Sequence, residues 1–192
     1  MGAVLSELLQ GNRRHFDPEQ ESFSKGDLLR KKLVLEGQHP KAVILTCSDS
    51  RACPETLFES EPGELFVIRV AGNVLSSEVL ASMEYAVEHL ETPLILILGH
   101  TQCGAIENAR QYFQSENQHP SPHLNKLLSN ICSHFDEHIT GQDLEFSIKM
   151  HIEGVLKDLQ LQSELLSEAI KEDRVELIGA IHHLISGKVQ LL

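Results

Sequence analysis

The sequence predicts an α/β protein: a central, mainly parallel β-sheet flanked by helices, with a helical arm before it and a short strand at its end. Apolar runs of strand length that do not alternate with polar residues mark strands buried on both faces, as a parallel sheet requires. KAVILT, ELFVIRV and LILILGH are such runs, and RVELIGAIH is a fourth. Between two of them stands SSEVLASMEYAVEHLE, and strand, helix and strand at this spacing predict right-handed crossover units. With 192 residues, the chain is long enough for one sizeable core, so residues 1–192 are read as a single domain.

Residues 3–36 read as two polar-rich helices, VLSELLQGNRRHF and KGDLLRKKLVLEG, separated by DPEQESFS, where Pro18 breaks any continuous helix. They form the arm, residues 1–36, and the core is 38–192. The strand KAVILT leads through CPETLFESEPGE, a turn of helix closed by Pro62-Gly63, into the strand Glu64 to Val70. In the next helix Val79, Met83, Ala86 and Leu90 recur at helical spacing, Ser76 or Ser77 can cap the first turn, and Glu78 suits its dipole. Pro93 opens the third strand, which ends at Gly99. SENQHPSPHLN is predicted as a loop by its prolines and polar residues. From about Lys126 to Asp173 the pattern is helical, through Ile148, Ile152, Val155 and Leu159. SGKVQLL then predicts a turn and a short terminal strand.

Composition excludes several functions. A net charge of −12 would repel nucleic acid and an acidic membrane face, and the basic pieces NRR and RKK are too short to outweigh it. No apolar run approaches bilayer length, and the N-terminus lacks the features of a secretory signal, so a cytoplasmic protein is expected. MGAVLS fits the acceptor pattern for acylation of Gly2, although a helix start is the plainer reading.

There are four cysteines, Cys47, Cys53, Cys103 and Cys132, which in a reducing compartment read as thiols or metal ligands rather than disulfides. Two strands run into turns rich in reactive groups: VILT into Cys47-Ser48-Asp49-Ser50-Arg51, and LILIL into Gly99-His100-Thr101-Gln102-Cys103. Ligand chemistry in open parallel sheets gathers at the carboxyl ends of strands. If neighbouring strands deliver both turns to one edge, Cys47, His100 and Cys103 converge into a zinc ligand set with one position open, the mark of a catalytic site. Asp49 and Arg51, two residues apart on an extended segment, share a face, so the guanidinium can hold the carboxylate ionised and oriented, close to the metal. Breaking that contact would free Asp49 to become a fourth zinc ligand. Cys53 is read as a helix-packing residue and Cys132 as a helix residue. A rival cluster of Cys132, His134 and His138 is the weaker candidate, and the adjacent His182 and His183 point different ways.

CSDSR followed by HTQCGA, with ELFVIRVAGN, SMEYAV and a terminal GKV in order, resembles the β-class carbonic anhydrases. The resemblance runs from about Gln38 onward and, between Asn108 and Arg174, is confined to helical character. It implies that Cys47, His100 and Cys103 bind Zn2+, that Asp49 and Arg51 are the catalytic dyad, that Gln38, Phe66 and Tyr85 line the substrate channel, and that Gly104 places its backbone near the reacting oxygen. It further implies a lyase that hydrates carbon dioxide reversibly to bicarbonate and a proton through zinc-bound hydroxide. The assembly implied is a homodimer or homotetramer in which N-terminal helices embrace the neighbouring subunit. Two thiolate ligands should favour activity at mildly alkaline pH. Some family members regulate themselves through a bicarbonate pocket of tryptophan, arginine and tyrosine. Here Arg69 matches the arginine, but the chain has no Trp and His182 stands in the tyrosine's place, which counts against that regulation. The rivals are hydrolysis of carbon disulfide or carbonyl sulfide on the same zinc, and a zinc-binding homologue without catalysis.

Overall fold

The computed structural model describes residues 2–16, 27–114, 119–139 and 141–192. Five strands form one sheet: β1 (Ala42–Thr46), β2 (Leu65–Arg69), β3 (Leu94–His100), β4 (Glu176–His182) and β5 (Val189–Leu191), in the order β2-β1-β3-β4-β5. The first four are mutually parallel, and β5 closes the far edge antiparallel to β4. The four apolar runs are therefore strands, and the terminal turn and strand are present. Among the described residues no helix is long and apolar enough to cross a membrane.

Every residue of β1 and β3 is buried, and strand parity sorts their side chains onto two faces. Val43, Leu45, Ile95 and Ile97 join the cluster beneath α4 (Ser77–Leu90), α5 (Gly104–Gln114), α6 (Pro122–Cys132), α7 (Leu144–Gln162) and α8 (Glu164–Lys171). Ala42, Ile44, Leu94, Leu96 and Leu98 face the opposite way and pack with Leu5 and Leu8 of α1 (Ala3–Phe16) and with Leu57 of α3 (Pro54–Leu57). Each such aliphatic side chain contributes about 1.5–3 kcal/mol by burial. Thr46 is a buried polar group in this apolar layer, and its hydroxyl donates to the Leu98 carbonyl at 2.9 Å. The unbroken apolar runs thus have the cause the sequence suggests, namely helices on both faces.

The first helix is anchored by more than apolar contact. The Asn12 side chain donates to the carbonyls of Leu57 (3.3 Å) and Gly187 (2.7 Å) and accepts from the Val189 amide (3.0 Å). At α2 (Asp27–Glu36), the Leu33 side chain closes over Gly63, whereas Val34 and Leu35 are 84% and 86% exposed. The Pro18 break lies outside the described residues.

Four expectations need correction. The run Glu64 to Val70 is not buried on both faces: β2 is an edge strand whose side chains are only partly covered. The SENQHPSPHLN segment is not loop throughout, because Ser121 caps α6 through the Leu124 amide (3.4 Å) and Pro122 occupies its first turn, where proline's missing N–H is harmless. Helical character after Lys126 is divided among α6, a single 3-10 turn at Glu137–Ile139, α7 and α8. Asp143 and Ser163 supply the caps for α7 and α8, accepting from the Phe146 and Leu166 amides. The third strand also runs one residue further than expected, to His100.

Two glycines let α7 settle directly on the sheet. A Cβ at Gly99 would stand 2.6 Å from Ile152 Cδ1 and 3.2 Å from Ile148 Cγ2, and one at Gly179 would stand 2.9 Å from both Ile152 Cγ2 and Leu156 Cδ1. Overpacking of this kind is destabilising by about 1–3 kcal/mol. G99A and G179A are each expected to lower the unfolding free energy by that amount, read as a lower urea midpoint with an unchanged m-value, and an unchanged midpoint would show that α7 does not rest on these positions.

Candidate metal centre

Cys47 follows β1 directly and continues the parity of Val43 and Leu45, so it enters the cluster beneath the helices. Thr46 pairs with Leu98, which brings the chain beyond β1 and the chain at the end of β3 out at the same sheet edge. There the ligand atoms of Cys47, His100 and Cys103 all lie within 4.8 Å of one another, and all three residues are buried. No other group of three such side chains meets in this way among the described residues.

The histidine is set for coordination. Its Nδ1 lies 2.9 Å from the Thr101 carbonyl, which can only accept, so the proton sits on Nδ1 and Nε2 presents its lone pair. That Nε2 is buried without a hydrogen-bond partner, a costly state for a polar atom unless a cation occupies its direction.

The two sulfurs differ. Cys47 Sγ accepts backbone amides from Gly72 (3.3 Å) and Asp49 (3.4 Å). The Cys103 thiol beside it is the largest cause that holds Cys47 well below the usual thiol range, with His100 and these amides adding to it. Cys103 is driven upward, first by its bond to Cys47, then by burial and by the neighbour's negative charge, although the Ala105 and Ile106 amides at the start of α5 oppose this. Two adjacent buried thiolates cannot both persist alone, and a divalent cation between them removes the conflict. Soft sulfur donors with one imidazole suit zinc, so the residues present fit a resident metal.

Asp49 lies just outside this group. Arg51 grips it with Nε on Oδ1 (2.9 Å), Nη2 on Oδ2 (2.7 Å) and its own amide on Oδ1 (2.9 Å). The guanidinium is the main cause that keeps the carboxyl far below the ordinary carboxylate range. Asp49 Oδ2 lies 3.9 Å from His100 Nε2, near the ligand group but beyond hydrogen-bond reach. Arg51 Nη2 also donates to the Gln102 carbonyl (3.3 Å), tying the first turn to the second. Arg69, at the end of β2, donates to the carbonyls of Cys47 (3.3 Å) and Asp49 (2.7 Å) and braces the turn from behind.

The remaining candidates are more dispersed. Phe66 and Tyr85 face each other with ring centroids 6.4 Å apart, and Tyr85 is 48% exposed. Gln38 is exposed on the segment before β1, and Gly104 opens α5 with free space where a side chain would stand. The Cys132 cluster does not assemble: its thiol donates to the Ala109 carbonyl (3.2 Å) and burial pushes it up to about 11, while His138 turns to Asp136. Cys53 occupies the N-cap position of the short α3, outside the helix itself, and its side chain makes no capping hydrogen bond. His182 pairs with His100 across β4 and β3, while His183 meets Gln190. Sequence reasoning had no sign of the roles of Gly72 and of Thr101 as a backbone anchor. The only available signal was a glycine three residues beyond the end of β2.

With this geometry in place, the carbonic anhydrase family profile matches residues 42–189. The chain belongs to the β-class carbonic anhydrase family. A carbonic anhydrase 2 of Mycobacterium tuberculosis is 33% identical, over 98% of this chain and 91% of that protein. A carbonic anhydrase of Mycolicibacterium smegmatis is 31% identical, over 98% of this chain and 92% of its own. One of two tetrameric β-carbonic anhydrases of Sordaria macrospora superimposes with a TM-score of 0.73 at 25% identity, covering 98% of this chain and 93% of that one.

The Asp49–Arg51 fork yields a direct test. Arg51→Ala is expected to move the Asp49 carboxyl back up towards the ordinary carboxylate range, read by carbon-detected NMR titration. A carboxyl that titrates as before would mean that Arg51 does not hold it. Because its pKa is depressed, the stabilisation Asp49 gives the fold is present above the unfolded-state value of about 3.9 and fades as the pH falls below it.

Proposed function

We propose that the protein is a carbonate dehydratase that hydrates carbon dioxide reversibly to bicarbonate and a proton, with zinc held by Cys47, His100 and Cys103. The observation that carries this reading is the meeting of two buried sulfurs and an unpartnered imidazole nitrogen at one sheet edge, beside a carboxylate fixed by arginine. Zinc bound there supplies a Lewis acid that can bring the pKa of water from 15.7 to about 7.

The chain's own residues do the rest. Asp49 stays ionised at neutral pH, so it accepts a hydrogen bond from the nucleophile and orients it without taking its proton. Arg51 keeps both carboxylate oxygens directed, and Arg69 keeps the turn that carries Asp49 from shifting. Phe66 and Tyr85 give the approach an apolar wall suited to an apolar gas, Gln38 can donate to one substrate oxygen, and the amide of Gly104, at a helix start where amides lack internal partners, faces the developing charge.

One domain, residues 1–192, is assigned to this work, with residues 1–36 as a helical arm in which α1 is seated on its own sheet through Leu5, Leu8 and Asn12 and α2 is the part that reaches a second copy. The exposed Val34 and Leu35 and the half-exposed Tyr85 fit burial in a homodimer or homotetramer, and the tetrameric relatives in Sordaria macrospora support an assembly of that kind.

Stopped-flow hydration of carbon dioxide by the zinc-loaded chain tests the activity, with carbon disulfide turnover as the comparison. The wild type is expected to hydrate carbon dioxide, and Asp49→Ala to lose about 100-fold in kcat/KM. Turnover of carbon disulfide alone would reassign the substrate, and zinc binding without either activity would leave a non-catalytic site. C103S should reduce bound zinc from about one ion per chain to a small fraction, measured by elemental analysis after dialysis.

A further inference from the structure

Behind the sulfur of Cys47 runs a line of hydrogen bonds that neither metal binding nor substrate approach uses. It begins at Gly72, whose amide donates to Cys47 Sγ at 3.3 Å. Gly72 adopts a left-handed conformation, φ 64° and ψ 18°, inside the short turn Ala71–Asn73. A Cβ there would stand 2.9 Å from Ile131 Cδ1 and 3.2 Å from Ala105 Cβ, so glycine is required both by its dihedrals and by the space. A residue this free of side-chain contacts must be held through its backbone.

His151 of α7 provides the hold. Its ring is buried at 1% exposure, and Nε2 lies 2.7 Å from the Gly72 carbonyl. A carbonyl only accepts, so Nε2 carries the hydrogen. Burial, followed by the nearby His134, keeps His151 neutral at a pKa of about 3, so its Nδ1 is an acceptor. His134 Nδ1 is 2.9 Å away and donates to it. His134 Nε2 in turn lies 3.2 Å from Asp158 Oδ2, which also accepts from Gln162 at 3.3 Å. The His134 ring lies over Gly154, where any side chain would overlap it. Read outward, the line is thiolate, Gly72, His151, His134 and the carboxylate of Asp158, and as far as His134 Nδ1 every hydrogen on it points towards the sulfur.

We propose that His151, oriented by His134 and Asp158, is a positioning residue for the metal centre, holding Gly72 so that its amide stays directed at the Cys47 sulfur. The proposal rests on the reading of Cys47, His100 and Cys103 as zinc ligands. An amide on a ligating sulfur fixes where the lone pairs point and draws charge from it, and partners of this outer kind typically govern metal affinity by about 10–100-fold. The Gly72 amide and carbonyl belong to successive peptide units joined at one residue, so fixing the carbonyl limits how far the amide can swing.

The test uses the full-length chain titrated with Zn2+ against a chromogenic chelator, with the sulfur-to-cobalt charge-transfer band recorded after Co2+ substitution. H151L is expected to weaken zinc binding about 10–100-fold and to shift the cobalt band. H151Q, which keeps an N–H for Gly72 and an oxygen for His134, should restore binding to within a few-fold of wild type. D158N, at a side chain that is 34% exposed and so tolerant of change, should shift the band in the same direction by less. A folded H151L that binds zinc like the wild type with an unshifted band overturns the proposal. Should H151L fail to fold, H134Q and D158N decide, and unchanged binding with unshifted bands in both overturns it. A wild-type chain that takes up neither ion would instead sink the ligand assignment itself, and this proposal with it.

Discussion

The parallel pairing of β1 with β3, Val43 against Ile95 through Thr46 against Leu98, brings two short turns far apart in sequence to one level at the sheet edge. Without it Cys47 would be an ordinary buried thiol and His100 a histidine with an orphaned nitrogen. The pairing is secured by apolar layers on both faces, so the position of the site is a property of the whole core. Small errors of register would matter, because a slip of one residue turns a strand's side chains to the opposite face and would carry Cys47 away from Cys103.

Having gathered the donors, the fold must manage their charge. Two sulfurs and a carboxylate crowd a region that excludes most water, and the chain answers with directed N–H groups: Gly72 and Asp49 on one sulfur, the start of α5 on the other, and Arg51 on the carboxylate. Most of these are backbone amides, which cannot rotate away as side chains can. Arg69 adds a brace from the edge strand by binding carbonyls rather than the charged groups themselves. The negative balance of the chain as a whole does not oppose this, because the local environment of each donor decides its ionisation.

Much of this was legible in the sequence, for identifiable reasons. The strands could be read because burial on both faces leaves unbroken apolar runs, and the ligand residues because they follow those runs immediately. Helix α4 could be read from its apolar spacing and its Ser76 cap. The start of α6 was hidden because Pro122, taken as a loop residue, also suits a first helical turn. The partial exposure of β2 was hidden because an edge strand and a central one share the same composition. His134 and His151 could not be linked by any spacing rule, since they sit on α6's exit and on α7 and meet only when both pack behind Gly72. Gln38, Phe66 and Tyr85 were drawn from family resemblance, and nothing in one chain's spacing would have singled them out.

The glycines beneath α7 have a consequence for how this protein can vary. With Gly99 and Gly179 bare, the helix and the sheet share a single fixed volume, and any carbon added to the strands has to be surrendered by Ile148, Ile152 or Leu156. Drift at these sites should therefore be correlated across the layer, with bulk migrating between helix and strand while their sum is conserved.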